Sequence, residues 1–416
     1  MIENTGWKLF EFPDGVARSL WRDEAVRVSV AVFLVLRLVT GIAALIMVAD
    51  VPAGKPPLLW FDPVTRMGNP SGETFEASLP VNSPLASLVA PWNRYDTAWY
   101  DKVAIQGYRP DNGIVFPPLY PLLIRLLAPF CGGSYVLAAL IISNIACLLS
   151  FILLYKLIQR EFHDSSLATR TLIALAAFPT AFYLVAGYTE PIFLALTLGA
   201  FLAAFDKKWW LAGILAFFAS LTRLQGVVLC LPLAWIAYVQ FRERGPRAIL
   251  ERVPAVLGAA LGTASYTGYI ALSKLGSFEN AYNIGWKLTS RPPWESIMTY
   301  FDRLRGGITQ YYENSNALIL LVMVILAIVV TIKFQPAYSL YVWSSLFVIL
   351  LRYHYGILLE GAQFESVFRY SLLLFPCFIA AAKLFQRWWM LVPYGLVMLV
   401  WQAFLLHNFL HWIWVA

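Results

Sequence analysis

The chain has 416 residues, of which 60% are hydrophobic and 13% charged, with a mean hydropathy of +0.66. Soluble domains are nearer half apolar and richer in charge, so a soluble class is excluded, and the apolar runs recurring from Val28 onward define an all-α, polytopic integral membrane protein. The net charge of +7 is no nucleic-acid signal, because the basic residues sit mostly in short connections between apolar runs.

Glu11, Asp14, Arg18, Arg22, Asp23, Glu24 and Arg27 precede the first apolar run. That is not the layout of a cleaved signal peptide, so residues 1–27 read as a cytoplasmic N-terminus and residues 28–51 as an anchoring span. Residues 52–130 read as a first extracytoplasmic loop with interfacial helices. Within it, helical spacing puts Trp92, Tyr95, Trp99 and Val103 on one stripe, with Asp96 among them. A carboxylate on an apolar face is costly unless paired or in use. Asp101 falls on the opposite face and reads as a solvated charge. Phe116-Pro117-Pro118-Leu119-Tyr120-Pro121 leads into a short, proline-broken run to Pro129 that carries Arg125; it reads as interfacial or re-entrant rather than a full span.

Further apolar runs cover residues 134–158, 169–186, 191–205, 209–221, 224–238, 253–275, 317–332, 337–351, 370–384 and 388–414. With the first span they make about 11 transmembrane helices, several shorter than the ~20-residue norm. With the N-terminus inside, the cytoplasmic connections hold Lys156, Arg160 and Arg170; Lys207 and Lys208; Arg242, Arg244, Arg247 and Arg252; Lys333; and Lys383 and Arg387, a coherent positive-inside pattern. The stretch from Trp209 to Tyr238 as one helix would be ~45 Å long, beyond a ~30 Å core. A hairpin turning at Thr222-Arg223-Leu224-Gln225-Gly226 resolves this. Asp96, Glu190, Arg223 and Arg369 then fall on the same, extracytoplasmic side. Charges at membrane depth default to functional hypotheses, and four on one face predict a single site.

Cys131, Cys147, Cys230 and Cys377 stand singly in apolar surroundings and read as small buried hydrophobes. His407 and His411 lack a third ligand and read as interfacial. No metal and no cofactor is expected, since no nucleotide, zinc or calcium pattern occurs. The loop 276–316 is polar and aromatic, with Trp286, Arg291, Trp294, Arg303 and Tyr311; it suits either a lid over a sugar or lipid head group or an ordinary interfacial helix.

Several stretches together resemble a family. Trp92-Asn93-Arg94-Tyr95-Asp96 with Trp99-Tyr100, Gly107-Tyr108 and the Phe116–Pro121 segment is similar to the first-loop signature of the PIG-V family, the GPI mannosyltransferase II enzymes and their bacterial relatives. Phe178-Pro179, Gly187-Tyr188-Thr189-Glu190-Pro191, Trp209-Trp210-Leu211-Ala212-Gly213, Leu221-Thr222-Arg223-Leu224-Gln225-Gly226, and Phe368-Arg369-Tyr370 with Phe375-Pro376 continue the match, in order, from about residue 90 to 380.

The resemblance implies a GT-C fold in a single transmembrane domain. It also implies an inverting glycosyltransferase that moves a hexose, mannose above all, from a polyprenyl-phosphate-sugar donor to a lipid or glycan acceptor outside the cytoplasm, plausibly at a bacterial plasma membrane. The chemistry agrees. Lipid phosphate leaves readily, so the reaction needs one base for the acceptor hydroxyl and cations for the developing phosphate charge. Asp96 is the expected base. Arg223 is the expected phosphate ligand, with pairing to Glu190 as the structural alternative. Glu190 would bind acceptor hydroxyls, orient Arg223, or stabilise its own helix. Arg369 would hold phosphate or snorkel to the interface. Asp111 would support the acceptor or a divalent ion, or be a solvated loop acid. Arg94, Tyr188 and Gln225 complete the expected substrate-binding set. Membrane lipids are the remaining partners, and nucleic acid is not one. A transporter or lipid flippase is the competing class, but it would place charges near the bilayer midplane and show internal repeats, and neither is seen. A non-catalytic scaffold is a third.

Overall fold

Asp23 opens the first helix, its Oδ1 accepting the Ala25 amide at 2.9 Å, and Glu24 adds negative charge to the first turn, both favourable at a helix N-terminus. In the computed structural model this helix, α1, covers Glu24–Met47. The structure describes residues 22–48, 88–110, 112–241, 249–355, 362–411, 413 and 415. The expected N-terminal segment 1–21, most of the polar stretch 52–91, Asp111, and Arg242, Arg244 and Arg247 lie outside the described residues.

The described residues are mostly helical. The helices continue as α2 (Asp96–Gln106), α3 (Leu119–Leu127), α4 (Tyr135–Phe162), α5 (Ser165–Ala176), α6 (Glu190–Phe205), α7 (Trp209–Thr222), α8 (Cys230–Phe241) and α9 (Ile249–Leu272). Then come α10 (Phe278–Trp286), strand β1 (Leu288–Ser290), α11 (Pro293–Arg305), α12 (Tyr311–Lys333), α13 (Pro336–Leu350) and strand β2 (Arg352–His354). The chain closes with α14 (Val367–Ser371), α15 (Phe375–Leu384) and α16 (Trp388–Leu410). Among the described residues, five helices (α1, α4, α9, α12 and α16) are long and apolar enough to cross a membrane. Their outward flanks, for example Val35, Ile46 and Val400, stay exposed, as lipid-facing residues do. Shorter apolar helices fill the space between them.

The hairpin at Arg223 is visible in the packing. A Cβ on Gly213 would lie 2.3 Å from the Pro254 carbonyl oxygen, and one on Gly262 would lie 2.4 Å from that of Phe217. Only glycine lets α7 and α9 approach so closely. The contacts ascend together in both helices, so α7 and α9 run parallel and α8 must return between them. At the far end of that return, the Gln240 side chain donates to Ala204 O at 3.4 Å.

Two expected spans are interrupted. The run 169–186 is helical only to Ala176; Phe178-Pro179 breaks it, and a 3-10 turn at Ala181–Leu184 follows. The run 370–384 is divided between α14 and α15. The segment after Pro117-Pro118 is a nine-residue helix, too short to span. The four cysteines are unpaired. Arg252 stacks over Trp209 at 5.3 Å from the ring centroid.

The connections gather at two ends. At one, Arg160 pairs with Asp206, Lys156 with Asp23, and Lys383 sits 4.0 Å over the Phe162 ring centroid. At the other, β1 and β2 form an antiparallel pair with Leu288 opposite His354 and Ser290 opposite Arg352.

Candidate active site

The first loop delivers Asp96. Arg94 donates through Nε to Leu410 O and through Nη1 to the carbonyls of Ala90 and Asn93, each at 3.1 Å. It thereby pins the loop to the end of α16. Arg94, expected among the substrate-binding residues, does not line the cavity. Tyr95 then adopts φ 52°, and Asp96 becomes the first residue of α2.

This helix does not have the expected exposed face. Asp101 and Lys102 are buried together with Asp96, Trp99, Tyr100 and Val103. Phe116 and Tyr120 wall one side, each within 5.1 Å of the Tyr100 ring centroid, and Trp286 meets Trp99 at 6.0 Å. Asp101, read as solvated, is 4% exposed, and its Oδ1 has no hydrogen-bond partner among the described residues. Burial pushes its carboxyl well above the usual carboxylate range.

Glu190 is presented by an irregular segment whose backbone is satisfied by side chains. Asn144 donates to Val185 O at 3.0 Å and Ser143 to Tyr188 O at 2.8 Å. Thr97 donates to Gly187 O at 3.2 Å, tying the segment to α2. Such pairing is what makes a non-helical stretch tolerable at membrane depth. Tyr188 lies behind the cavity rather than on its lining; its hydroxyl donates to Arg94 O at 3.1 Å.

Four side chains expected on one face form a single chain of charge. Arg369 Nη1 lies 2.6 Å from Asp96 Oδ2, and its Nε lies 3.2 Å from Glu190 Oε1. Arg223 Nη1 lies 2.6 Å from the same Glu190 oxygen and donates to Thr189 Oγ1 at 2.8 Å. Glu190 is wholly buried. Its Oε1 lies between the two guanidinium groups, and it does not line the cavity. Arg369 does not snorkel to an interface; it is 6% exposed at the centre of the chain.

Asp96, Arg223, Gln225 and Arg369 line a cavity of about 280 Å³. Tyr100, Phe116, Tyr282 and Trp286 give it aromatic walls. The loop 276–316 thus supplies part of the enclosure through α10 and β1. Three further lining residues were missed by sequence reasoning: Arg352, Glu365 and, although it stands in a quoted motif, Tyr370. The Tyr370 ring centroid lies 4.9 Å from the Arg223 guanidinium, 5.1 Å from that of Arg352 and 5.2 Å from that of Arg369. Glu365 sits between Phe364 at φ 63° and Ser366 at φ 64°, a strained presentation for bulky residues. Its Oε2 lies 2.8 Å from His354 Nε2. Burial raises the Glu365 carboxyl, but the neighbouring His354, Arg352 and Arg369 outweigh this and hold it below its ordinary value. The signal for Arg352 was its place just past an outward-running span, on the side already assigned to the other charges.

The arrangement offers one reachable carboxylate oxygen beside several guanidinium groups. Asp96 Oδ2 is held by Arg369, while Oδ1 makes no hydrogen bond with any described residue. Asp96 and Glu190 are both balanced by arginine, so the cluster suits an anion better than a cation. No group of three metal-ligating side chains occurs among the described residues.

Residues 115–267 match the family described as dolichyl-phosphate-mannose-protein mannosyltransferase. GPI mannosyltransferase 2 of Schizosaccharomyces pombe is 28% identical over 152 residues, which cover 35% of this chain and 32% of that protein. GPI mannosyltransferase 2 of Cryptococcus neoformans is 29% identical over 158 residues, 35% of this chain and 36% of that protein. The chain spans about a third of the length of these curated relatives. They are eukaryotic proteins, so they lend no support to a bacterial setting. No solved structure matches the chain. The resemblance carried by the motifs is thus borne out as a similarity to mannosyltransferases, and the segment that matches the family, 115–267, holds Glu190 and Arg223.

Proposed function

We propose that this protein is a membrane glycosyltransferase that moves a hexose, mannose by its likeness to the relatives, from a polyprenyl-phosphate-sugar to a lipid or glycan acceptor. The observation that carries this reading is the cavity in which Asp96 meets Arg223, Arg352 and Arg369, at the end of the bundle opposite the exposed lysines. The positive-inside pattern supports reading that end as extracytoplasmic. A GT-C fold of about eleven crossings, from five long and several shorter helices, belongs to the same reading.

The step is a single displacement with inversion. Asp96 Oδ1 takes the proton of the acceptor hydroxyl. The acceptor oxygen bonds to the anomeric carbon as the bond from that carbon to the phosphate oxygen breaks. The electron pair leaves on the lipid phosphate, which needs no general acid, and arginines stabilise its charge. Arg369 fixes the Asp96 carboxylate in place. A hydrolase of the usual kind would instead place two carboxylates across the scissile bond.

Membranes containing the full chain, given a radiolabelled polyprenyl-phosphate-mannose, should pass label to an endogenous lipid or glycan. Movement of intact donor across the bilayer without transfer would favour the transporter class, and neither event would leave a non-catalytic scaffold. Engineered cysteines test sidedness: one near residue 280 should label from outside, and one near residue 206 only from the cytoplasm.

A further inference from the structure

Both arginines expected to bind phosphate already have a carboxylate at 2.6 Å: Glu190 for Arg223 and Asp96 for Arg369. Arg352 differs. It lines the same cavity, but among the described residues no carboxylate lies within ion-pair distance of it. Its Nε is buried and has no hydrogen-bond partner among them. Its Nη1 donates to the Tyr370 hydroxyl, an interaction that brings no charge to balance the guanidinium. Glu365, the other carboxylate on the lining, is engaged by His354 at 2.8 Å.

Arg352 is also held in place. It sits on β2 opposite Ser290. Arg291 N donates to Leu351 O at 2.9 Å, and Ser296 Oγ to Arg352 O at 3.3 Å. The loop 276–316 therefore fixes the backbone that carries this side chain. Arg352 is half-buried, and a donor such as its Nε, shut from water and unbonded, is costly until an anion meets it; the planar fork of the guanidinium matches phosphate oxygens.

We propose that Arg352 is the cation that takes the charge of the donor's lipid phosphate, while Arg223 and Arg369 position Glu190 and Asp96. This rests on the transferase reading above. A polyprenyl-phosphate-sugar is a phosphodiester with one negative charge, and Arg352 is the one lining arginine among the described residues with no carboxylate within ion-pair distance. The placement also separates the two halves of the displacement. Arg369 Nη2 reaches the Tyr370 hydroxyl at 3.4 Å, so Arg352 stands one phenol beyond the arginine that holds the base. Phosphate there would leave the sugar between the leaving group and Asp96.

The test is native mass spectrometry of the full chain in nanodiscs with two probes, a short-chain polyprenyl phosphate and the matching neutral polyprenol. The wild-type protein should prefer the phosphate. Arg352→Ala should weaken phosphate binding about ten- to a hundred-fold, the worth of a charge-assisted hydrogen bond, and leave polyprenol binding unchanged. Arg352→Lys should keep part of the preference, since it restores charge without the fork, and it serves in place of the alanine variant if that one does not fold. Equal losses for both lipids would make Arg352 merely structural. An unchanged phosphate preference in Arg352→Ala, with the preference lost in Arg223→Ala or Arg369→Ala, would overturn the assignment but leave the transferase reading standing. No phosphate preference in the wild-type protein would overturn both.

Discussion

At one end of the helices Asp96, Glu190, Arg223 and Arg369 are each less than a tenth exposed and linked at 2.6–3.2 Å. At the other end Lys156–Asp23 and Lys208–Asp206 pair at 3.0 and 3.6 Å with side chains 36–63% exposed. The bonds look alike, but their settings differ. Water already satisfies the exposed groups, so their pairing is worth at most ~1 kcal/mol. Removing the buried groups from water costs several kcal/mol per ion, so a chain of four of them stabilises the fold little. The difference teaches that alike bonds can do unlike work: on the proposed reading the second end serves orientation in the bilayer and the first serves chemistry.

The largest effect belongs to Asp96. Asp96→Asn keeps the shape and the hydrogen-bonding reach but accepts no proton at neutral pH. Transfer from a labelled donor should fall about a hundred- to ten-thousand-fold, with the protein still folded in the membrane. Activity within a few-fold of wild type would make the buried chain structural and return the two ends to equal footing.

Glu190 comes next. Its Oε1 serves both Arg223 and Arg369, so Glu190→Ala leaves the buried Arg223 guanidinium without a carboxylate and Arg369 with Asp96 alone. The expected loss is about 3–5 kcal/mol, read as a lowered midpoint of thermal or denaturant unfolding in detergent. Acceptor use should suffer most, since Arg369, which holds Asp96, loses its second carboxylate. A stability change under ~1 kcal/mol would show that these groups behave as surface pairs do.

Much of this was legible in the sequence, for a physical reason. Hydropathy and the distribution of basic residues orient the spans, and orientation alone puts Asp96, Glu190, Arg223 and Arg369 together. What failed was inference from local spacing. Asp101 was placed in water because a 3.6-residue period assumes one buried face, whereas α2 is walled on nearly every side. Arg94 stands beside the base in sequence, yet its Nε bonds a carbonyl 316 positions away. Residues 169–186 are apolar enough for a span, but Phe178-Pro179 ends the helix, and side chains from α4 satisfy the freed backbone. Arg352 was passed over because nothing local distinguishes it from an ordinary arginine at a span end.

Asp101 gives the third test, from inside the same helix as Asp96. Its folded-state carboxyl titrates well above the ordinary value. Below that ordinary value the folded and unfolded chains are both protonated and no penalty exists. Above it the unfolded chain releases its proton while the folded chain holds on, so stability falls as pH rises. Asp101→Asn should therefore raise stability near pH 7, and the gain should vanish once the pH falls below the ordinary carboxylate range. Transfer should persist, because Asp101 does not line the cavity. A loss of stability at pH 7 would mean that the carboxylate is ionised and paired.

The smallest effect is expected at the opposite end, and it completes the contrast. Asp206 meets both Arg160 and Lys208, so by count of partners it matches Glu190. Its side chain is 37% exposed, however, and Asp206→Asn leaves two cations that water can solvate. The unfolding midpoint should shift by less than ~1 kcal/mol, and by less still in high salt, where such pairs are screened. Transfer should be unaffected. If Asp206→Asn cost as much as Glu190→Ala, number of partners rather than burial would decide the worth of a carboxylate here, and the distinction between the two ends would fail. If the cost stayed small but transfer dropped, the exposed end would be coupled to the cavity along α6, the helix that joins Glu190 to Asp206.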